Sequence, residues 1–288
     1  MTKCYLKLLI AFLFLLFCGK QLIASPQEPD YIIYKNDTIE IYNLILEEYL
    51  QNKNPEENKL FGFSFRNTLG SENMSPYCWR GYQAIYEIKN DSLFLSYVIE
   101  CGTIEKINKK KSDKYLRTLF GNQVKNKKVF IDWFSGDISF PQKLADKQNK
   151  VIRWDEIFYR IYERETVISI SNGKVLKIEN VNNYVDDPER INRENQEQIP
   201  DILLEELKNI KGESLNIDCS GPYLITIDKN GDISNVKKFF PTEKVECINT
   251  VYNALKELKF DIIKDKGKPI SEDVYIEIWI TKEGKIGN

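Results

Sequence analysis

GPYLITIDKNGDISNVKKFF (Gly221–Phe240), TEKVECINTVYNALKELKF (Thr242–Phe260) and KGKPISEDVYIEIWIT (Lys266–Thr281) read in turn as a hairpin, a helix and a closing strand. In the first stretch Tyr223, Ile225 and Ile227 alternate with Leu224, Thr226 and Asp228, the period of two expected of a strand with one buried face. Lys229-Asn230-Gly231-Asp232 supplies the turn, because Asn-Gly tolerates the positive φ that tight hairpins demand. Ile233, Val236 and the Phe239–Phe240 pair continue the sheet. In the second stretch Val245, Ile248, Val251, Tyr252, Leu255 and Leu258 recur three and four residues apart, which makes an apolar helical stripe. In the third, Val274, Ile276, Ile278 and Ile280 set one face against Tyr275, Glu277 and Trp279 on the other. The run from Asp228 to Asp232 also looks like the start of a calcium loop, but the glycine and glutamate such a loop needs at its sixth and twelfth positions are Ile233 and Phe239.

The order strand, Asp-x-x-Gly turn (Asp228–Gly231), strand, helix ending in the aromatic Phe260, Gly267-Lys268-Pro269 loop and final strand resembles the C-terminal domain of TonB-type energy transducers. The resemblance implies a small α+β domain over 199–288 and an envelope setting. It also implies a binding mode in which a sheet edge pairs with an extended segment of a partner. On that reading strand 273–281 is the candidate edge, with Tyr275, Glu277 and Trp279 as candidate partner-binding residues. The alternative is a central or protected strand, since natural edges are commonly blunted. The chain departs from the family where Asp261-Ile262 follow Phe260 in place of the usual proline. It shows no retained N-terminal anchor and no Pro-rich stem, so coupling to an inner-membrane motor is not expected.

Residues 1–24 read as a secretory signal peptide: Lys3 and Lys7 form a basic start, Leu8–Gly19 an apolar core, and Ala24 the small residue before cleavage. The core is shorter than the roughly 20 apolar residues a spanning helix needs. A lipidated Cys18 is disfavoured by the bulky Phe17 before it. Cleavage removes Lys3, Lys7 and Lys20 and no acid, taking the formal charge from −2 to −5. That balance argues against nucleic acid as the main partner, because phosphate binding needs a net basic face. The Lys109-Lys110-Lys111 run is the one basic cluster and reads as a solvated loop. No later run is long enough to cross a membrane as a helix, so the expectation is a periplasmic or secreted protein.

Between signal and hairpin, the organisation is β-rich. Tyr31–Tyr42 reads as strand, turn, strand, and Leu44–Leu50 as a short helix. Tyr82–Glu100 is a hairpin turning at Lys89-Asn90-Asp91-Ser92, Tyr115–Phe120 a short helix, Val129–Phe140 strand-like, and Arg164–Val181 a hairpin turning at Ser171-Asn172-Gly173. Residues 182–198 are almost wholly polar and contain Pro188, a composition that reads as a linker. The expected fold class is α+β: a β-rich domain of antiparallel hairpins over 25–185, a linker over 186–198, and the small α+β domain over 199–288. The pieces Asp37–Tyr42, Leu46–Tyr49, Trp79–Tyr82 and Asp132–Gly136 resemble recurring blocks of a secreted family of Bacteroidetes-type bacteria with no assigned activity. That likeness implies location and fold class only.

Four cysteines follow the signal: Cys78, Cys101, Cys219 and Cys247. An even count in an exported chain is compatible with disulfides, and two fall in each expected domain. The natural pairing is therefore Cys78–Cys101 and Cys219–Cys247, against the alternative of four buried thiols. Trp79, Arg80 and Tyr82 with Asp132 and Trp133 invite a ligand- or carbohydrate-binding groove. The competing reading is a packed sheet in which Arg80 pairs with an acid such as Asp132. The chain has no histidine, which removes Ser-His and Cys-His nucleophile pairs and the common zinc patterns. With no Gly-x-Ser-x-Gly, phosphate-loop or dinucleotide fingerprint, no enzyme activity, cofactor or metal is expected. The expected role is binding another envelope protein.

Overall fold

The computed structural model describes residues 25–53, 59–60, 63–64, 74–145, 148–208, 219–240, 245–281 and 286–287. Residues 1–24, expected to be a signal peptide, lie outside the described residues.

The first region is built on one eight-stranded sheet. Strand β1 (Asp30–Tyr34) and β2 (Asp37–Ile41) form a hairpin around Lys35 and Asn36, both at positive φ. β3 (Gln83–Lys89) and β4 (Ser92–Ile99) form a second hairpin around Asn90 and Asp91, again at positive φ. Asn and Asp sit at these turns because they accept left-handed backbone more readily than most residues. β1 runs parallel to β3, so the region is not made of antiparallel hairpins alone. The crossover of about 50 residues between β1 and β3 is long enough for the parallel pairing that a short turn forbids. It carries helix α1 (Ile45–Lys53).

Helix α2 spans Lys109–Phe120, longer than the short helix expected, and the lysine run forms its first turn rather than a solvated loop. Asn108 makes this possible by capping the helix, its side chain accepting from Lys111 N at 3.1 Å. β5 (Val129–Phe130) adds to the free side of β4. β6 (Gly136–Pro141) pairs with β9 (Arg164–Ser171), and β9 turns through Asn172-Gly173 into β10 (Lys174–Asn182). A Cβ at Gly173, where φ is 73°, would lie 2.0 Å from Ile131 O, so only glycine fits there. Strand order is β2-β1-β3-β4-β10-β9-β6, but β4 and β10 meet at the single pair Ser92–Lys174. The first core gathers Ile32, Tyr86, Leu95, Phe120, Ile138 and Ile168 from six different elements. A small hairpin, β7 (Val151–Trp154) and β8 (Arg160–Tyr162), stands apart from this sheet.

The second region has its own core. Helix α3 (Ile199–Lys208) and helix α4 (Val245–Leu255) cover one face of a sheet ordered β12-β11-β13-β14. Its strands are β11 (Gly221–Ile227), β12 (Ile233–Lys238), β13 (Glu272–Ile280) and β14 (Ile286–Gly287). The alternation read from the sequence holds: Val274, Ile276, Ile278 and Ile280 are buried against the helices. Ile248, Val251, Tyr252 and Leu255 of α4, and Leu258 after it, pack into this core as their spacing predicts. The buried residues of α4 are Cys247, Val251 and Leu255, while Val245 is exposed. The Cys219–Cys247 disulfide pins that face, with Cα atoms 5.3 Å apart. Cys78–Cys101 closes the corresponding loop in the first region at 6.3 Å. The two closed loops, of 23 and 28 residues, each stabilise by about 3 kcal/mol in the loop-entropy account.

The segment expected to be a linker is tied down along much of its length. Ile191 pairs in parallel with Phe260, through Ile191 N to Lys259 O at 2.8 Å and Asp261 N to Ile191 O at 3.0 Å. Arg193 is buried and donates Nε–H to Asp261 O. The polar composition that argued against a core is consumed by main-chain pairing and buried charge. A third small cluster, Ile152, Ile161, Tyr184 and Ile263, packs between the two cores.

Candidate functional site

β13 has two neighbours of very different extent. On one side it pairs with β11 from Glu272 to Ile278. On the other, among the described residues, only Trp279 and Ile280 are paired, with β14. The direction of the remaining main-chain groups follows from one bond. Phe239 N donates to Pro222 O at 3.0 Å, so residue 222 faces β12 and, by the alternation of an antiparallel ladder, 221, 223 and 225 face β13. Their mates Ile278, Ile276 and Val274 therefore turn inward. Asp273, Tyr275 and Glu277 direct their N–H and C=O groups to the open edge.

The same alternation sends the side chains of Asp273, Tyr275, Glu277 and Trp279 to the face opposite the helices, where all four are exposed. Tyr275 and Trp279 are 49% and 58% accessible, and Phe239 and Phe240 at the end of β12 are 52% and 62%. Tyr275 meets Phe239 edge-on at 5.9 Å, and Phe239 meets Phe240 at 5.2 Å. Thr226 Oγ1 donates to Asp273 Oδ1 at 2.6 Å and Lys237 lies 3.7 Å from Asp273, so that carboxylate is held in place. The outcome is an open strand edge beside a cluster of aromatic rings. Residue-by-residue reading located Tyr275, Glu277 and Trp279 but not Phe239 and Phe240. Val236 pointing inward was the available signal, because a period of two then turns Phe239 outward.

Gly231 holds the opposite end of this sheet. With φ at 86°, a Cβ there would sit 2.0 Å from Phe260 O, and Phe260 N donates back to Gly231 O at 2.8 Å. The turn is a structural joint, as its Asn-Gly suggested.

The second candidate group is divided between separate clusters. Arg80 is buried and donates Nη1–H to Asp30 Oδ1 at 2.8 Å and Nη2–H to Glu28 O at 2.9 Å. Its partner is Asp30, not Asp132, which is exposed. Asp30 also accepts from Ala84 N at 2.8 Å and from Tyr86 Oη at 3.4 Å. Burial raises the Asp30 carboxyl above its ordinary value, with Arg80 and the Ala84 N–H opposing that shift. Tyr82 is buried and donates to Glu47 on α1, and burial with that neighbouring carboxylate pushes its hydroxyl well up. Trp79 is half-buried against Ile157 and Phe158, whereas Trp133 packs on Tyr49 and Phe120 at 4.6 and 5.4 Å. The two indoles belong to different clusters, and Asp132 is exposed away from the Arg80–Asp30 pair, so the structure does not bring Trp79, Arg80, Tyr82, Asp132 and Trp133 together in one group.

A cleft of about 590 Å³ lies elsewhere, between β7 and residues 194–197. Both of its cationic lining residues are engaged in internal pairs. Lys150 reaches Glu194 at 2.8 Å, and Arg153 donates to Glu272 at 2.9 Å. Among the described residues no cluster of acids or cysteines is arranged to hold a metal ion. Comparison with known proteins returned no matching family model, no matching curated protein and no matching solved structure.

Proposed function

We propose that the chain is an exported, non-enzymatic envelope protein that binds another envelope protein by accepting an extended segment along the outer edge of β13. One observation carries this reading: main-chain groups at Asp273, Tyr275 and Glu277 face an edge open among the described residues, flanked by exposed Tyr275 and Trp279. An added strand gains its affinity from those groups and its selectivity from side-chain neighbours. Two disulfides favour an oxidising compartment. No helix among the described residues is long and apolar enough to cross a membrane. The basic-then-apolar start at 1–24 and the resemblance of 221–281 to the TonB C-terminal domain support the envelope setting.

The test is affinity capture from the native envelope with the wild-type chain, Glu277→Pro and Trp279→Ala. Proline at 277 removes an N–H that points to the edge and none that pairs with β11. Loss of a specific captured protein with both variants, their folds intact by circular dichroism, supports the reading. Equal capture by all three chains refutes it.

A further inference from the structure

The first region also has an open edge, and it is built differently. β10 is nine residues long, yet its only ladder pair with β4 among the described residues is Lys174–Ser92, flanked by the bonds Leu93 N to Gly173 O at 2.8 Å and Val175 N to Asp91 O at 3.0 Å. Leu176 on it is 70% accessible and Ile178 44%. Gln142 N donates to Arg164 O at 3.1 Å, while Asn183 N donates to Glu163 O at 2.8 Å. Even-numbered residues of β9 therefore turn toward β6 and odd-numbered ones toward β10. Ile178 and Asn180, the mates of Ile168 and Thr166, consequently direct their main-chain groups away from β9, to an edge unpaired among the described residues.

The sequence of this strand, KVLKIENVN, is nearly self-complementary about Ile178. We propose that β10 pairs antiparallel with β10 of a second copy, on a two-fold axis at Ile178. In that register the two Ile178 residues exchange main-chain hydrogen bonds, and Lys177 of each strand stands opposite Glu179 of the other. Lys177 and Glu179 already pair within the strand, Nζ to Oε2 at 2.5 Å, so the dimer joins two such pairs into a four-charge ladder. Moving the axis to Glu179 would set that carboxylate against its own copy, and like charges directly opposite are destabilising. The bulge between Ser169 and Ile170 adds an extra residue at Leu176, which confines the regular ladder to the residues that follow. A second copy is the occupant that fits because both charge signs occur on the strand in mirror order. An isolated edge of this length and apolar content would otherwise invite unregulated pairing.

Sedimentation equilibrium of the oxidised chain over a concentration series tests the proposal, using Lys177→Glu, Glu179→Lys, their equimolar mixture and the double variant Lys177→Glu/Glu179→Lys. The wild type is expected to dimerise reversibly. Each single variant opposes like charges twice and is expected to dimerise about tenfold more weakly or worse. The mixture and the double variant restore opposite charges and are expected to recover. Both altered positions, 177 and 179, are solvent-facing exchanges of charge, and circular dichroism checks the fold. A wild type that stays monomeric, single variants that dimerise as well as the wild type, or a dimer abolished by Trp279→Ala would each overturn the proposal.

Discussion

Trp79 and Trp279 sit in similar company, one in Trp-Arg-Gly-Tyr and the other in Tyr-Ile-Glu-Ile-Trp, and the fold treats them in opposite ways. Around Trp79 the charged residue and the tyrosine are buried: Arg80 locks onto Asp30 and Tyr82 onto Glu47. Around Trp279 they are exposed beside an open edge. The first group lies at and after a turn feeding β3, where the chain must pass under α1 and main-chain donors need buried acceptors. The second lies on a strand whose other face already supplies the core. Aromatic and charged composition is alike in the two places. Register decides which becomes scaffold and which becomes surface.

The sharpest way to break that contrast is to remove Arg80. Arg80→Ala leaves Asp30 buried without its counter-ion, and breaking a buried pair in this way costs about 3 to 5 kcal/mol. Asp132→Ala, at an exposed residue, should stay within about 0.5 kcal/mol of the wild type. Chemical denaturation of the two variants settles which acid Arg80 serves. Equal losses would mean that the Asp30 assignment is wrong.

Next in size are the disulfides, one in each region. Replacing Cys219 and Cys247 by serine should lower stability by about 3 kcal/mol, and the Cys78/Cys101 pair by a similar amount, because the closed loops are of similar length. The check is the denaturation midpoint with and without reductant. A serine pair that matches the oxidised wild type would show that its bridge adds nothing.

Much of this fold was legible where a period was clean. The alternation of β13 and the hairpins at Asn90-Asp91 and Asn172-Gly173 are local signals, and local signals survive into the structure. Three features were not legible. The parallel β1–β3 pair depends on two strands about 50 residues apart, and nothing in either strand names its mate. The start of α4 was not read, because Cys247 was counted as a bridge and not as part of the buried stripe, which leaves Val245 exposed while Ile248, Val251, Tyr252 and Leu255 pack on the core as expected. The 182–198 segment looked like a linker because its polar residues can be satisfied only by a surface that the sequence does not display. Asp261, for example, accepts from Tyr184 Oη and, at 3.1 Å, from Asp187 N. For the site, alternation placed Tyr275, Glu277 and Trp279 outward. The burial of Arg80 depended on the distant Asp30 and had no local signature.

The junction between the regions gives the third effect. Glu165 on β9 is buried, accepting from Asn183 Nδ2 at 2.9 Å and Tyr162 N at 3.3 Å, while Asn183 Oδ1 accepts from Gly267 N at 2.9 Å. Burial pushes its carboxyl up from 4.5 to about 7, with Asp265 adding to the rise and Asn183, Tyr162 N–H and Lys266 opposing it. The native state thus holds this proton more tightly than the unfolded chain. Its contribution to stability is complete below pH 4.5 and is lost as pH rises through about 7. The loss amounts to about 3 kcal/mol. Glu165→Gln keeps the acceptor and removes the proton, so its stability should be flatter across that window than the wild type's. Identical pH profiles would show that Glu165 ionises freely in the folded chain.

The smallest effect on stability is expected at the proposed binding edge, and there the comparison with Trp79 turns into a functional test. Trp279 is 58% accessible and its strand is anchored from the other face by Ile276, Ile278 and Ile280. Trp279→Ala should therefore change unfolding free energy by no more than about 0.5 kcal/mol. Trp79→Ala, from a half-buried site packed on Phe158, should cost more, about 1 to 3 kcal/mol. Partner capture should show the reverse order. Aromatic anchors at interfaces carry a large share of binding energy, so Trp279→Ala should weaken capture about tenfold or more while Trp79→Ala leaves it unchanged at temperatures where the fold persists. Measuring both variants in both assays separates scaffold from surface. A Trp279→Ala chain that unfolds early, or a Trp79→Ala chain that folds normally and loses its partner, would reverse the roles argued for the two tryptophans.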